Sequence, residues 1–313
     1  MSFTPPGKRV VAGLAAAAAV TLSLAACGGS SDTGGSNSGS GTSVDKALAD
    51  KVPAAIKADG KILVGTDTTY APSEFLGTDG KTATGFDIDV FNAVAAKLGL
   101  KAEFQTATFA DIIPGVTESG KYEIGVSSFT INPDRLAKAN MVSYYAAGTQ
   151  WATKKGNPAG VKPDDACGKK IAVQKDTVQV DDITARSKKC TDAGKPAITV
   201  DPYPAQDQAT GAVISGKDDA MLADSPVCAY AVKQTNDQLQ VLGDIYDSAP
   251  YGYVIKKDQT AFAEAVRDAL KAVIADGTYQ KALAKWGVEG GAIKNPELNP
   301  SLGGATPSPS ASS

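Results

Sequence analysis

The 313-residue sequence contains no histidine. This absence excludes Ser-His-Asp and Cys-His catalysis and zinc sites that rely on imidazole ligands, and we expect no metal and no cofactor. An excess of positive charge is also missing, because 31 basic residues stand against 34 acidic ones and the net charge is −3. A nucleic-acid partner, which requires a basic surface, is therefore not expected. Carboxylate-pair catalysis stays open, since acidic residues are plentiful.

The apolar run near the start of the chain is too short to span a bilayer. It covers residues 10–24, whereas a membrane-spanning helix needs roughly 20 residues. Lys8 and Arg9 precede the run and small residues follow it, which is the pattern of a secretory signal peptide. The next residue is Cys27, and this arrangement resembles a bacterial lipobox. We therefore predict that residues 1–26 are removed and that Cys27 carries lipid; the alternative is an ordinary signal peptide with an incidental cysteine.

Two further segments have the composition of flexible chain. Residues 27–43 are rich in Gly and Ser and are predicted to form a linker, while residues 291–313 are rich in Pro, Ser and Gly and are predicted to be disordered. Without residues 1–26 the chain keeps 29 basic and 34 acidic residues, a net charge of −5. About 230 residues, between positions 61 and 290, look globular and suit two lobes of ordinary size or one large domain.

Three cysteines remain once Cys27 is assigned to the lipid. Cys167 and Cys190 stand in polar, loop-like surroundings, whereas Cys228 stands in an apolar helical pattern. Because disulfides persist outside the cell, we predict a bridge between Cys167 and Cys190 and a buried free thiol at Cys228. The alternative is three free thiols.

Strand and helix patterns alternate along the chain. The strand candidates are 61–66, 101–105, 122–126, 170–173, 197–200, 219–222 and 251–255. The helix candidates are 87–98, 109–119, 177–187, 205–215, 225–233 and 259–276. This alternation predicts an α/β fold of mostly parallel sheets with helices on both faces. In such folds ligands bind beyond the carboxyl ends of the strands.

A series of motifs carries a family resemblance. In chain order they are GTDTTYAPSEF, GFDIDVFNAVAAKLGL, FADIIPGVTESGKYEIGVSSFTINPDR, GKKIAVQKDT, DDAMLADSP and GTYQKALAKWG. Their order and spacing resemble the polar amino-acid-binding proteins of ABC importers, the family-three extracellular solute-binding proteins. The resemblance implies a two-lobe, type II periplasmic-binding-protein-like fold that closes on one free amino acid about a two-strand hinge. It places lobe 1 at residues 44–147 plus 251–290 and lobe 2 at residues 148–250.

The resemblance also assigns residues to the ligand's carboxylate. Arg135 follows the strand candidate 122–126 by one short loop, and its planar guanidinium can bind a carboxylate with two hydrogen bonds. Ser128 and Thr130 lie in the same loop and can donate or accept hydrogen bonds. Thr177 is expected to add its backbone N–H and hydroxyl at a helix N-terminus, although it could equally be a plain N-cap.

The other assigned residues face the ammonium and the side chain of the ligand. Asp224 matches the acid expected for the α-ammonium, with an N-cap as its alternative role. Tyr70 and Phe109 match aromatics that enclose the ligand side chain, and ordinary packing is their alternative. Asp67 is expected at the side-chain end, where it could pair with a cation or accept from an amide; its alternative role is that of a turn residue.

The resulting hypothesis is a lipid-anchored extracellular receptor on the outer face of the cell membrane. It would bind a free polar amino acid with a cationic or amide side chain and deliver it to an ABC importer permease, as a monomer and without catalysis. One alternative is a cyclohexadienyl dehydratase-like enzyme with Asp67 or Glu74 as its acid. Another is a sensory module for a membrane partner. A generic adhesion lipoprotein would leave Arg135 and Asp224 unexplained.

Overall fold

A computed structural model describes residues 43–236 and 238–302. The predicted signal peptide, Cys27 and the predicted linker up to residue 42 lie outside the described residues, as do residues 303–313. Within the described part, no helix combines the length and the apolar character that crossing a bilayer requires.

Short strands and helices alternate through the described residues. The strands there are β1 (Lys61–Thr66), β2 (Thr69–Tyr70), β3 (Glu74–Leu76), β4 (Ala83–Thr84), β5 (Lys101–Thr106), β6 (Ile124–Gly125), β7 (Ala139–Lys154), β8 (Lys170–Gln174), β9 (Thr199–Tyr203), β10 (Ala220–Asp224) and β11 (Leu239–Lys256). The helices there are α1 (Lys46–Ala49), α2 (Ala54–Lys57), α3 (Phe86–Lys97), α4 (Phe109–Thr117), α5 (Pro133–Lys138), α6 (Val178–Asp192), α7 (Gln206–Ser215), α8 (Ser225–Gln234), α9 (Thr260–Ala275) and α10 (Thr278–Trp286), followed by a 3-10 turn at Glu289–Gly291.

Eight of the described strands form one mixed sheet, in the order β5-β1-β6-β11-β7-β10-β8-β9. At one end β1 is parallel to β5 and β6, and at the other end β8 is parallel to β9 and β10. Between these two parallel groups lie the long strands β7 and β11, which are antiparallel to each other. The predicted α/β class is therefore confirmed, with the parallel groups separated by one antiparallel pair.

The two long strands divide the molecule into two halves. The first half comprises residues 43–138 and 257–302, and the second half comprises residues 155–236. The pairing of β7 with β11 is irregular in the middle, where Gly148 lies against the backbone of Tyr246. A Cβ atom on Gly148 would stand 2.5 Å from the Tyr246 carbonyl oxygen, so only glycine fits at this close approach of the two strands.

The first half is held together by amphipathic helices. In α9 the predicted inward residues Phe262, Val266, Leu270 and Val273 recur at helical spacing, and all four are fully buried. They belong to the same apolar core as Phe91 of α3. Burial of one such side chain stabilises the folded state by about 1.5–3 kcal/mol. The buried face of α9 therefore holds this helix against the first half.

The sequence-based strand predictions differ most from the structure at the long strands. No strand was predicted over β7, and only residues 251–255 of β11 were predicted. Nearly every residue of β7 is buried, so this strand has no alternation of polar and apolar residues by which it could be recognised. Conversely, the predicted strand 122–126 is reduced to the two residues of β6.

The end of the chain also departs from the prediction of disorder after residue 291. Residues 292–302 lie along β7, where Leu298 forms a bridge with Val142 and the Asn299 side chain accepts from the Met141 N–H at 2.8 Å. The strand β10 pairs only with residues 149–153 of β7, so it does not cover this part of the strand. The terminal segment therefore satisfies backbone groups that an open strand edge would leave without partners.

The predicted cysteine pairing is confirmed. Cys167 and Cys190 form a disulfide that ties the end of α6 to the loop before β8, and Cys228 is a buried free thiol. The disulfide closes a loop with a sequence separation of 23 residues. In the chain-entropy model, a loop of this length stabilises the folded state by about 3 kcal/mol.

Replacing both bridged cysteines (Cys167→Ser with Cys190→Ser) should therefore lower the free energy of unfolding by about 3 kcal/mol. Urea unfolding of the wild-type and double-variant proteins measures this difference. Dithiothreitol should reproduce the loss in the wild-type protein and leave the double variant unchanged. Equal unfolding midpoints for the two proteins without reductant would show that the bridge contributes nothing to stability.

Candidate functional site

A cavity lies between the two halves, next to the carboxyl ends of β6, β8 and β10. Its lining residues are Tyr70, Phe109, Ser128, Thr130, Arg135, Thr177, Val178, Gln179 and Asp224. Seven of the eight predicted ligand-binding residues are thus brought to one place; Asp67 is the exception. The position agrees with the general rule that open α/β sheets bind ligands beyond the ends of their strands.

Arg135 brings a buried positive charge to this cavity. It lies in α5, which begins at Pro133 and is capped by Asn132, whose side chain accepts from the Arg135 N–H at 2.9 Å. The guanidinium donates to the backbone carbonyls of Thr130 at 2.8 Å and Asp176 at 3.1 Å. Among the described residues no carboxylate forms an ion pair with it.

Two aromatic rings complete the surroundings of Arg135. Its guanidinium lies 5.3 Å from the ring centre of Phe109 and 5.5 Å from that of Phe129, within the range of cation–π attraction. Only 8% of Arg135 is exposed, and burial lowers the pKa of the guanidinium to about 10. The group therefore stays protonated at neutral pH, and its remaining N–H donors can serve an anion.

Asp224 brings a buried negative charge to the opposite half of the cavity. Its Oδ2 accepts from the Tyr70 hydroxyl at 2.8 Å, and its Oδ1 accepts from Gln179 Nε2 at 2.8 Å. Burial raises the pKa of Asp224, while hydrogen bonds and the positive charge of Arg135 act in the opposite direction. The Asp224 side chain makes no capping hydrogen bond to α8, so the structure does not support the N-cap alternative.

Thr177 stands directly before α6, as predicted, but its side chain is engaged elsewhere. The hydroxyl donates to the carbonyl oxygen of Gln174 at 2.7 Å and makes no capping hydrogen bond to the helix. The hydroxyl proton is thus used within the protein in this structure, and the role of Thr177 toward a ligand stays a prediction. Thr177 and Val178 both line the cavity.

Asp67 does not line the cavity and lies in a turn. Its Oδ1 accepts from the backbone N–H of Thr69 at 3.1 Å and from the Thr69 hydroxyl at 2.8 Å, as expected of an acidic turn residue. Its Oδ2 accepts from Gln174 Nε2, which belongs to the second half. Asp67 is only 2% exposed, and burial raises the pKa of its carboxyl. Gln174 thus connects the two halves.

Gln179 is the polar cavity residue that the sequence analysis missed. It is buried in the first turn of α6 and donates to Thr149 on β7 at 3.0 Å as well as to Asp224. The available signal was its position two residues after Thr177, at the start of a helix already expected to face the ligand. Nothing in the local pattern indicated that its side chain would turn toward Asp224.

These features define a class of protein: two α/β halves joined by two long strands, with a charged cavity between them, as in type II periplasmic-binding-protein-like folds. The sequence profile of the bacterial extracellular solute-binding proteins, family 3, matches residues 62–289. The chain belongs to this family.

Individual relatives cover nearly the whole family region. The arginine-binding protein ArgT of Corynebacterium glutamicum is 33% identical over 304 residues, which are 96% of this chain and 98% of that protein. A solved structure of an ancestral arginine-binding protein bound to arginine is 33% identical, with a TM-score of 0.66 over 72% of this chain and 98% of that one. The ancestral amino acid-binding protein AncCDT-1, a precursor of cyclohexadienyl dehydratase, is 34% identical, with a TM-score of 0.64 over 74% of this chain and 97% of that one.

Proposed function

We propose that this protein binds one free polar α-amino acid with a cationic or amide side chain and delivers it, as a monomer, to the permease of an ABC importer. The observation that carries the proposal is the pair of buried charges at one cavity. Arg135 and Asp224 are 8% and 5% exposed, line the same cavity from different halves, and do not form an ion pair with each other.

A free amino acid is the complement of this arrangement. Its carboxylate can accept from the guanidinium donors of Arg135 that no backbone carbonyl occupies, in the bidentate geometry that Arg favours. Its ammonium can donate to Asp224, because a carboxylate can accept more hydrogen bonds than the two that Tyr70 and Gln179 donate. Each buried charge then gains an opposite charge, which offsets the desolvation that burial costs.

The ligand side chain is expected to lie against aromatic rings and toward Asp67. Tyr70 and Phe109 line the cavity, and Asp67 lies beyond it as a buried carboxylate without a cation among the described residues. Such a group favours a side chain rich in N–H donors. The relatives named for arginine support a cationic ligand, and an amide ligand such as glutamine remains the second candidate because Asp67 can accept from an amide as well.

Binding would also bring the two halves together. The hydrogen bonds Tyr70 to Asp224 and Gln174 to Asp67 each join one half to the other. A ligand held by Arg135 and Asp224 would add charged contacts to these hydrogen bonds between the two halves. We propose that the halves open and close about β7 and β11, which are the long strands that connect them.

The proposed function is tested by isothermal titration calorimetry of the purified protein against each of the twenty free amino acids. We expect a dissociation constant below 1 mM for at least one amino acid with a cationic or amide side chain. Submillimolar binding of none of the twenty would overturn the proposal.

The variant Arg135→Met should lose about 100-fold or more in affinity for the amino acid bound by the wild-type protein. The loss arises because the ligand carboxylate would be buried without a counter-charge, which costs 2–5 kcal/mol or more. The melting temperature of the ligand-free protein should change little, since methionine retains the apolar stem and the substitution breaks no direct ion pair. Calorimetry and thermal unfolding measure the two effects.

Arg186→Met is the matched control for that variant. Arg186 is also partly buried over aromatic rings, those of Trp151 and Tyr246, but it pairs with Asp182 and does not line the cavity. Its replacement should leave ligand affinity within a few-fold of wild type. An equal loss of affinity in the two variants would contradict the assignment of the carboxylate to Arg135.

The variant Asp67→Asn should separate the two candidate ligand types. The substitution removes a buried negative charge and keeps an oxygen that can accept from Thr69. The fold-decrease in affinity should therefore be at least about ten times larger for L-arginine than for L-glutamine. Calorimetry with both amino acids on the same variant makes each ligand the control for the other. If both lose affinity equally, Asp67 is a turn residue without a role in selecting the ligand.

We further propose that lipid on Cys27 holds the receptor at the outer face of the cell membrane, near its permease. The motif around Cys27 and membership of an extracellular family support this placement. One acyl chain gives only marginal membrane binding, so we expect more than one on Cys27. The linker after it would set the distance over which the receptor can reach.

Labelling of the producing cells with radioactive palmitate should mark the wild-type protein and leave Cys27→Ser unmarked. The unmarked variant should leave the membrane fraction because nothing else in the proposal anchors the chain. Cys228→Ser serves as the control, since the thiol of Cys228 is buried. Labelling of Cys27→Ser at the wild-type level would refute the anchor.

The dehydratase alternative has little support from the geometry. Neither Asp67 nor Glu74, the two acids considered for it, lines the cavity, and Glu74 is fully buried. The related AncCDT-1 is itself described as an amino acid-binding protein. Release of carbon dioxide from prephenate or arogenate by the purified protein would favour the enzyme instead.

A further inference from the structure

A pair of buried carboxyl groups lies behind the cavity and has no role in the proposed contacts with the ligand. Glu74 on β3 and Asp87 on α3 are both fully buried, and neither lines the cavity. No Lys or Arg among the described residues forms an ion pair with either group. Two carboxylates without a counter-charge are costly to bury, so their retention in the core of the first half calls for an explanation.

The surroundings of the pair favour a state in which it keeps one proton. Glu74 Oε1 accepts from the Ser127 hydroxyl at 2.7 Å, and Asp87 Oδ2 accepts from the Tyr144 hydroxyl. The other two carboxyl oxygens, Glu74 Oε2 and Asp87 Oδ1, have no hydrogen-bond partner among the described residues, and each carboxyl group influences the pKa of the other. Because two neighbouring buried carboxylates cannot both ionise at low cost, a state in which the pair keeps one proton is favoured.

Asp87 is hydrogen-bonded to Ser128, a residue that lines the cavity. Asp87 Oδ2 accepts from the backbone N–H of Ser128 at 3.0 Å and from its hydroxyl at 3.3 Å. Ser128 has a φ of +47°, an uncommon conformation for a residue other than glycine. These bonds therefore fix a strained residue that lines the cavity, in the same loop as Thr130 and ahead of Arg135.

The other titratable groups near the pair come from several elements. Asp67, after β1, adds negative charge toward Glu74. Tyr144 on β7, Tyr253 on β11 and Tyr279 on α10 lie within electrostatic range of Asp87 and stay neutral, because burial raises the pKa of each. The only charges acting on the pair from these neighbours are thus negative, and they favour retention of a proton by the pair.

We propose that the Glu74–Asp87 pair is a positioning device for Ser128, and that a second proton on the pair loosens Ser128 and weakens binding of the amino acid. The affinity part of this inference rests on the proposed function. The positioning part does not, because Glu74, Asp87 and Ser128 all lie in the first half and meet without a ligand or the second half.

The pKa values of the pair place the proposed change at Ser128 within a measurable range of pH. Burial raises the pKa of Asp87 to about 6, against the hydrogen bonds from Tyr144, Glu74 and Ser128, and burial together with Asp87 raises the pKa of Glu74 well above its usual value. Asp87 accepts three hydrogen bonds from Ser128 and Tyr144, whereas Glu74 accepts one from Ser127, so a negative charge on the pair is better stabilised on Asp87. As the pH falls through about 6, Asp87 takes up a proton and its hydrogen bonds to Ser128 weaken.

Nuclear magnetic resonance of the ligand-free protein tests the positioning directly. The Ser128 amide resonance should titrate with an inflection near pH 6 in the wild-type protein and should lose that inflection in Asp87→Asn. In Tyr144→Phe the inflection should move to higher pH, because a donor that stabilises the ionised Asp87 is gone. This second variant keeps the test decisive if Asp87→Asn does not fold.

Asp218→Asn is the matched control for these variants. Asp218 is likewise buried and accepts from a tyrosine hydroxyl, that of Tyr203, at 2.7 Å, but it lies in the second half away from the cavity. It should leave the Ser128 titration unchanged. Absence of any Ser128 inflection between pH 5 and 8 in the wild-type protein would overturn the proposal, whatever the protein binds.

Calorimetry with L-arginine as the probe then tests the coupling to binding. Wild-type affinity should fall by up to about tenfold per pH unit below the Ser128 inflection, as expected for uptake of one proton. The inflection in affinity should move to higher pH in Tyr144→Phe together with that of Ser128. If the affinity inflection lies at the same pH in the wild-type protein and in Tyr144→Phe, it arises from Asp67 or Asp224. That result would refute the coupling between the pair and ligand binding. If no amino acid binds at any pH, the proposed function fails while the Ser128 titration still decides the positioning role.

Discussion

The burial of two opposite charges that do not touch is the constraint on which the structure depends. Arg135 and Asp224 have been removed from water, and each is surrounded by neutral hydrogen-bond partners rather than by an opposite charge. Backbone carbonyls orient the guanidinium, and Tyr70 and Gln179 orient the carboxylate. Neutral partners satisfy the geometry of a charged group but compensate its charge only in part. A bound zwitterion, as proposed, would complete the compensation, since Arg135 and Asp224 line the same cavity.

The rest of the fold determines how far apart these charges lie. Arg135 belongs to the first half and Asp224 to the second, so their separation is set by β7 and β11, the strands that join the halves. The close approach at Gly148 keeps these strands paired through their irregular middle. The apolar face of α9 is buried in the core of the first half. In the same half, Asp87 of the Glu74–Asp87 pair accepts a hydrogen bond from Ser128, which lines the cavity.

Much of the fold could be predicted because its signals are local. The spacing of Phe262 and Val266 identified α9, and the polar surroundings of Cys167 and Cys190 identified the disulfide. The alternation of strands and helices indicated that a ligand would bind at strand ends, and the family resemblance assigned the seven residues that line the cavity there. Long-range partners leave no such local signal. The sequence therefore could not indicate that β7 would be buried along nearly its whole length, that Gln179 would turn toward Asp224, or that Glu74 and Asp87 would both be fully buried.

The central claim is that the two ends of a zwitterion are recognised separately, by Arg135 and by Asp224. Calorimetric comparison of the tightest-binding amino acid with its methyl ester and its N-acetyl derivative tests this claim most directly. The ester removes the negative charge and the acetyl group removes the positive one, while the side chain is unchanged. The account predicts that each derivative binds about 100-fold more weakly or worse, because each leaves one buried charge uncompensated. Binding of either derivative within about tenfold of the free amino acid, less than 1.4 kcal/mol, would contradict it.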